Sequence, residues 1–208
     1  MIIAIDGAST DLSLAVAEPG GTLLGEDAWS SAQRQSAELL PHLLALLARL
    51  ERPLADTTVV AVGTGPGSFT GLRVAMALAK GVAVGLRIPI VGVPSLEAWL
   101  DADPDAVAAV ARAGSREAYL LVRGEAEPRI VDREAVPVAA PVVAAAEVAT
   151  AFGLPDARRP RGAFAIAPRA AARLSADPAG DDLRTLEPIY LRAPRGVVAE
   201  SGERVRWL

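Results

Sequence analysis

The order of apolar segments in the first hundred residues constrains the fold of this chain more than any other feature. Residues 2–5 (IIAI) read as a short buried strand ending at Asp6, followed by a polar turn from Gly7 to Asp11. Leu12–Ala17 and Leu23–Trp29 read as two more strands, with Gly20 and Gly21 between them, so the chain starts with a β-hairpin. A leucine-rich helix is predicted over 36–50, where Pro41 marks the first turn or a kink. Thr58–Val62 is a buried strand, a glycine-rich loop opens a helix at about 71–86, Ile88–Val93 is another strand, and Ser95 caps a further helix. Three strands and then helix, strand, helix, strand, helix specify a mixed sheet with crossover helices, an α/β half-domain of the actin-like, ribonuclease-H-like kind.

Pro104, in the stretch DADPD, marks a boundary between an N-terminal half (1–103) and a smaller C-terminal α/β half (104–208) whose tail can return to the first. The second half repeats the alternation more weakly. Strands are expected at Val107–Ala111, Ala118–Arg123, Arg129–Glu134 and Ala163–Ala167. An alanine-rich helix is expected at Pro141–Phe152, a short helix at Arg169–Ser175 and a last extended piece at Ile189–Arg192. Residues 177–186 and the tail after Gly196 read as loop.

The residue inventory narrows the chemistry. With 208 residues, 51% apolar and 22% charged, the chain can bury a core, and its 4% aromatic content means a core of Ala, Val, Leu and Ile. There is no cysteine, which removes disulfides, thiolate metal sites and a cysteine nucleophile. A single histidine, His42, leaves no paired-histidine metal site and no convincing Ser-His-Asp set. No secretory signal is visible and no window reaches about 18 uninterrupted apolar residues, so the expectation is a cytoplasmic protein away from the membrane. A net charge of −4 argues against a free-standing nucleic-acid binder. Two arginine clusters, Arg158, Arg159 and Arg161, and Arg192 with Arg195, read as solvated surface, with phosphate contact as the other reading.

Two loops can carry chemistry. Gly63–Arg73 (GTGPGSFTGLR) joins a buried strand to a helix, where exposed backbone N–H groups make an anion site; Gly65, Gly67 and Ser68 are its candidates. The competing reading is a tight turn capped by Ser68 or Thr70. The loop is neither a Walker A loop nor a dinucleotide fingerprint. The second loop offers Asp6, Gly7, Ser9 and Thr10, where an Asp in this kind of fold can hold a magnesium water. A phosphotransferase or nuclease needs more carboxylates, and Glu97, Asp101 and Asp132 are the only others to nominate.

The first two long helices are apolar on too many faces. Leu40, Leu43, Leu44, Leu47 and Leu50 make a core stripe, and Leu39, His42 and Leu46 a second. On the next helix Val74, Ala75, Leu78 and Val82 suit the sheet, leaving Arg73, Met76, Ala77, Lys80 and Val84 outside. Ala77, Gly81 and Gly85 repeat at four-residue spacing, which lets a helix approach closely. Either the second half covers these faces or they form a protein interface, with a homodimer among its forms.

Four motifs in this order, AIDGAST, GTGPGSFTGLR, IPIVGVPSLEAWL and PIYLRAP, resemble the TsaB (YeaZ) family. The resemblance is strong over residues 1–100 and continues at Arg116–Tyr119 and Pro188–Arg192, with a second half short for the family. It implies an actin-like fold of two halves, the second shortened. It also implies a part in making threonylcarbamoyladenosine on the tRNA adenosine beside the anticodon. In that family catalysis belongs to a paralogue, TsaD (YgjD), whose metal-binding histidine pair falls at Ser95 and Trp99 here; a hydroxyl and an indole cannot replace two imidazoles. The implied role is therefore a non-catalytic partner subunit with no cofactor or metal of its own. ATP or ADP and the metal would belong to TsaD and to an ATPase, TsaE (YjeE), and tRNA would be met mainly through the partner. Pairing would use the two over-apolar helices, through Leu39, His42, Leu43 and Leu46 on the first and Arg73, Met76, Ala77, Lys80, Gly81 and Val84 on the second. The alternatives are an independent ATP-dependent phosphotransferase of the actin-like class and, more remotely, a peptidase.

Overall fold

The computed structural model describes residues 1–31, 33–137 and 139–191. The predicted hairpin start is present as β1 (Ile2–Asp6), β2 (Asp11–Ala17) and β3 (Leu23–Ser30). These pair antiparallel, while β4 (Val59–Gly63) and β5 (Ile90–Val93) add in parallel on the other side of β1, giving the order β3-β2-β1-β4-β5. Side chains alternate across such a sheet. Ile3, Ile5, Leu12, Leu14, Val16, Val60 and Val62 therefore face α1 (Gln35–Arg49) and α2 (Phe69–Leu86) in one core. Ile2, Ala4, Ala15, Ala17, Ala61, Val91 and Val93 face the opposite way.

That opposite face is covered by α3 (Ser95–Ala102) and by α5 (Gly162–Ala176), a helix that comes late in sequence and returns to the first sheet. The small residues on both sides permit it: Ala163, Ala167, Ala170 and Ala171 of α5 lie against the alanines of the sheet. The sequence reading of Ala163–Ala167 as a strand and Arg169–Ser175 as a separate helix is thus corrected to a single helix. Two local signals mislead there. AFAIA alternates like a strand, and Pro168 looks like a terminator. Burial between sheet and α3 outweighs the backbone hydrogen bond that Pro168 cannot donate.

The second sheet has the order β10-β9-β6-β7-β8, built from β6 (Ala108–Arg112), β7 (Glu117–Val122), β8 (Arg129–Asp132), β9 (Val142–Ala144) and β10 (Ala157–Arg158). Its strands are short, and its own helix, α4 (Ala146–Phe152), has only two turns. Pro141–Phe152 is not one helix: Val142 and Val143 extend in parallel register with β6, and the helix begins only after Ala145. Alanine's helix propensity dominates a reading by composition, but two adjacent β-branched residues beside a strand decide the structure. Ile189 donates its N–H to the Thr64 carbonyl at 2.7 Å, so the chain does come back to the first half. Arg192, Arg195 and the tail after Gly196 lie outside the described residues.

The largest correction concerns the rotation of α1 and α2. Leu39, Leu43, Leu46 and Leu47 are buried, whereas Leu40 and Leu44, assigned to the core stripe by spacing, are 43% and 47% exposed. The edge strand sets this phase. His42 stacks on Trp29 of β3 at 3.7 Å, its Nδ1 lies 2.7 Å from Asp27 Oδ2, and Trp29 Nε1 donates to Glu38 at 3.2 Å. These contacts turn Leu39 and Leu46 inward. On α2, Met76 likewise joins the core with Ala75, Ala79, Val82 and Ala83, and Val84 is 60% exposed. Among the described residues α2 alone is long and apolar enough to cross a bilayer, but it packs on the first sheet as a core helix.

The phase is testable. Leu46→Ala should lower the urea-unfolding free energy by about 2–5 kcal/mol, the range for a truncated core leucine, while Leu44→Ala should change it by less than about 0.5 kcal/mol. Equal losses would refute the helix rotation.

Candidate functional site

The two predicted loops meet. The β1–β2 turn and the β4–α2 loop lie backbone to backbone: Ser68 N donates to the Ala8 carbonyl at 2.7 Å, and a Cβ at Gly67 or Gly71 would collide with the main chain at Ala8 or Gly7. These glycines are therefore required by loop-on-loop packing. Several backbone amides of the glycine loop already have partners. Gly65 N donates to Ser95 Oγ at 3.0 Å, Ser68 N to Ala8, and Gly71 N to Ser68 Oγ at 3.3 Å, which makes Ser68 the helix cap. Ser9 Oγ donates to the Asp11 carbonyl and accepts from Asp11 N at 3.1 Å, and the Thr10 hydroxyl donates to Glu147 on α4.

Asp6 is the centre of the arrangement. It is only 2% exposed, and every contact it makes is with a neutral donor. Oδ1 accepts from Ser95 Oγ at 2.8 Å and from Ala8 N at 3.3 Å; Oδ2 accepts from Trp99 Nε1 at 2.6 Å. Gly63 and Gly162 close the space around it, since a Cβ at either position would strike the carboxylate. Burial pushes the Asp6 carboxyl above its usual range, with the Trp99, Ser95 and backbone donors acting in the other direction. A carboxylate with both oxygens engaged under an indole is not placed to hold a magnesium water. The other nominated acids are elsewhere: Glu97 and Asp101 both bind Arg169 at 2.5 Å, and Asp132 ends the edge strand β8. Among the described residues no group of three His, Cys, Asp or Glu could hold a metal ion.

The cleft between the two sheets is filled by side chains. Ala8, Leu72, Leu96, Trp99 and Leu100 pack with Ala109, Ala111, Tyr119, Leu121 and Val143 of the second sheet in one buried cluster. From sequence, Ser95 reads as a helix cap and, with Trp99, as a substitute for a metal-binding histidine; the cap reading is corrected, since Pro94 precedes the first helical residue with no side-chain cap and the Ser95 hydroxyl donates to Asp6 instead. The bonds of Ser95 and Trp99 to Asp6 join positions 89 and 93 residues apart, and no local pattern announces them.

The surface picked out by sequence divides in two. Leu39, Leu43, Leu46 and Met76 are core residues and offer nothing to a partner in this structure. Arg73, Ala77, Gly81 and Val84 are on the outer side of α2, with Lys80 and His42 half-buried. Leu40 and Leu44, which sequence reasoning put inside, stand exposed on α1 and replace the buried leucines on the apolar ridge. A Cβ added at Gly81 or Gly85 would meet nothing, so the groove along α2 is open. At the head of α2, Arg73 lies 4.2 Å over the Phe69 ring and donates to Tyr190 Oη at 3.2 Å. The arginines of the first basic cluster each have an acidic neighbour: Arg158 binds Asp103, Arg159 lies 4.0 Å from Asp11, and Arg161 binds Glu26.

Comparison with known proteins bears on this geometry. Residues 29–172 match the family model of TsaD, tRNA N6-adenosine threonylcarbamoyltransferase. An uncharacterized protein of Mycobacterium tuberculosis is 33% identical over 201 residues, covering 93% of this chain and 92% of its own. The tRNA threonylcarbamoyladenosine biosynthesis protein TsaB of Escherichia coli is 33% identical over 95 residues, 46% of this chain and 40% of that protein. The solved structure of YeaZ from Pseudomonas aeruginosa superposes with a TM-score of 0.67 at 23% identity, covering 91% of this chain and 99% of that one.

Two outcomes test the Asp6 centre. Trp99→Phe keeps an aromatic ring but removes the indole donor from a buried carboxylate and leaves a cavity, and should cost at least about 1–3 kcal/mol in chemical unfolding. A group whose carboxyl is raised in the folded state stabilises fully below its unfolded value, and that contribution is lost as pH rises through the folded value. The stability of the native chain relative to Asp6→Asn should therefore fall as pH rises from the acid range toward neutral. A difference that stays flat, or grows with pH, would show that burial does not dominate at Asp6.

Proposed function

The chain belongs to the TsaB (YeaZ) branch of the TsaD-type family, whose role is tRNA threonylcarbamoyladenosine biosynthesis, and we propose that it serves there as a non-catalytic partner subunit. In this reading it pairs with a TsaD-type protein in the cytoplasm, a TsaE-type ATPase completes the assembly, and tRNA is met mainly through the partner. The observation that carries it is the outer ridge of α1 and α2, where Leu40, Leu44 and Val84 are exposed around an open groove at Ala77 and Gly81. A monomer gains nothing from presenting large aliphatic side chains to water along two adjacent helices, whereas a helix-pair interface buries them. Small residues at four-residue spacing allow a close helix approach. The same face can pair two copies of this chain.

The absence of independent chemistry in this reading is supported by the centre itself. Ser95 and Trp99 both donate to Asp6, and the Gly65 and Ser68 amides of the glycine loop already donate inside the protein. Among the described residues no group of three His, Cys, Asp or Glu fits a resident metal ion.

Reconstitution tests the proposal. With tRNA, threonylcarbamoyl-adenylate and the TsaD-type protein of the same organism, modified tRNA should accumulate only when this chain is added. Modification independent of the chain would remove the partner role. Leu44→Glu with Val84→Glu should abolish pairing in sedimentation while leaving the unfolding midpoint unchanged, since both side chains are already solvent-facing. Unchanged affinity would move the interface elsewhere.

A further inference from the structure

We infer that the Ser9–Asp11 turn is a polar clasp that holds the two lobes closed over the Asp6–Trp99 pair. The chain crosses between the lobes at 103–107 and again at 159–161, and the crossings run together, with Arg158 Nη1 2.6 Å from Asp103 Oδ1. Arg123 pins the first crossing, donating to the carbonyls of Leu100 at 2.8 Å, Asp103 at 2.7 Å and Ala106 at 2.9 Å. Two adjacent crossings form a hinge, about which one lobe can turn unless other contacts restrain it.

The turn supplies that restraint. The Thr10 hydroxyl donates to the Glu147 carboxylate on α4, and Asp11 Oδ2 accepts from Ala146 N, the opening amide of that helix, at 3.3 Å. Asp11 is 6% exposed and is itself held by Ser30 Oγ and by Arg159 at 4.0 Å. Ser9 fixes the shape of the turn through its two bonds to the Asp11 main chain. Charge-assisted bonds of this kind are directional and short-ranged, so a small lobe rotation breaks them together, whereas the apolar cluster beneath yields gradually. The clasp therefore sets the cost of the first ångström of opening. What it keeps dry is the Asp6 carboxylate under Trp99, which has no cation to accompany it. The inference does not rest on the partner reading.

The test uses the Trp99 indole N–H, which is fully buried and bonded to Asp6 and so exchanges with solvent only when the lobes part or the protein unfolds. Thr10→Val and Glu147→Ala each remove one side of a partly exposed pair, and the fold should tolerate both. Each should speed Trp99 indole exchange, followed by NMR in the intact chain, about tenfold, with a rate that stays nearly independent of low urea concentrations because a small lobe opening exposes little surface. The double variant should exchange no faster than the faster single variant, because the two changes delete one bond. Unchanged exchange in both variants, or exchange whose urea dependence is as steep as that of global unfolding, would overturn the clasp.

Discussion

The buried carboxylate of Asp6 sets conditions that much of the molecule has to meet. A charge or a protonated acid at this depth is tolerable only when both oxygens are hydrogen-bonded, and Trp99, Ser95 and the Ala8 amide come from two segments nearly ninety residues apart. To bring them in, α3 must start where β5 ends, the glycine loop must fold onto Ser95, and α5 must open with a residue lacking a Cβ. The same bonds put the indole in the middle of the cluster that joins the two sheets. A polar requirement at one atom thus becomes an apolar junction between lobes.

The second half is modest because it shares its stabilising elements with the first. Its sheet has one short helix of its own, and the long helix that follows in sequence packs on the first sheet instead. An alanine-faced helix on an alanine-faced sheet buries little area per residue but allows close packing, which suits a chain poor in aromatics. The consequence is that neither lobe is independent. Removing the late helix would uncover the face of β1, β2 and β4, although these strands are complete by residue 63.

The first hundred residues were legible in sequence because their signals are local: strand alternation, glycine punctuation and a serine cap each fall within a few positions of what they determine. Residues 141–176 were not, since Val142–Ala144 becomes a strand only by pairing with β6, and Ala163–Ala176 a helix only by lying between sheet and α3. The site follows the same division. Asp6 and the glycine loop stood out by type and spacing, but the donors on Asp6 are long-range, and in sequence Ser95 looks like a helix cap and Trp99 like a residue that cannot ligate a metal. The ridge was legible as an excess of leucine and not as a set of residues. With leucine at 39, 40, 43, 44, 46 and 47, more than one rotation of α1 gives an acceptable core stripe, and the choice falls to His42 and Trp29, a contact between helix and edge strand.

That rotation ties the interior to the surface. If α1 turned to bury Leu40 and Leu44, Leu39 and Leu46 would come out in their place, the stack of His42 on Trp29 would separate, and Asp27 would lose the imidazole. The total apolar exposure would barely change, so hydrophobic burial alone does not choose between the two rotations. The polar and aromatic contacts at the edge of the sheet do, and they determine which leucines a docking helix would meet. The identity of the ridge is therefore decided by contacts between α1 and the edge strand, not by the leucines themselves.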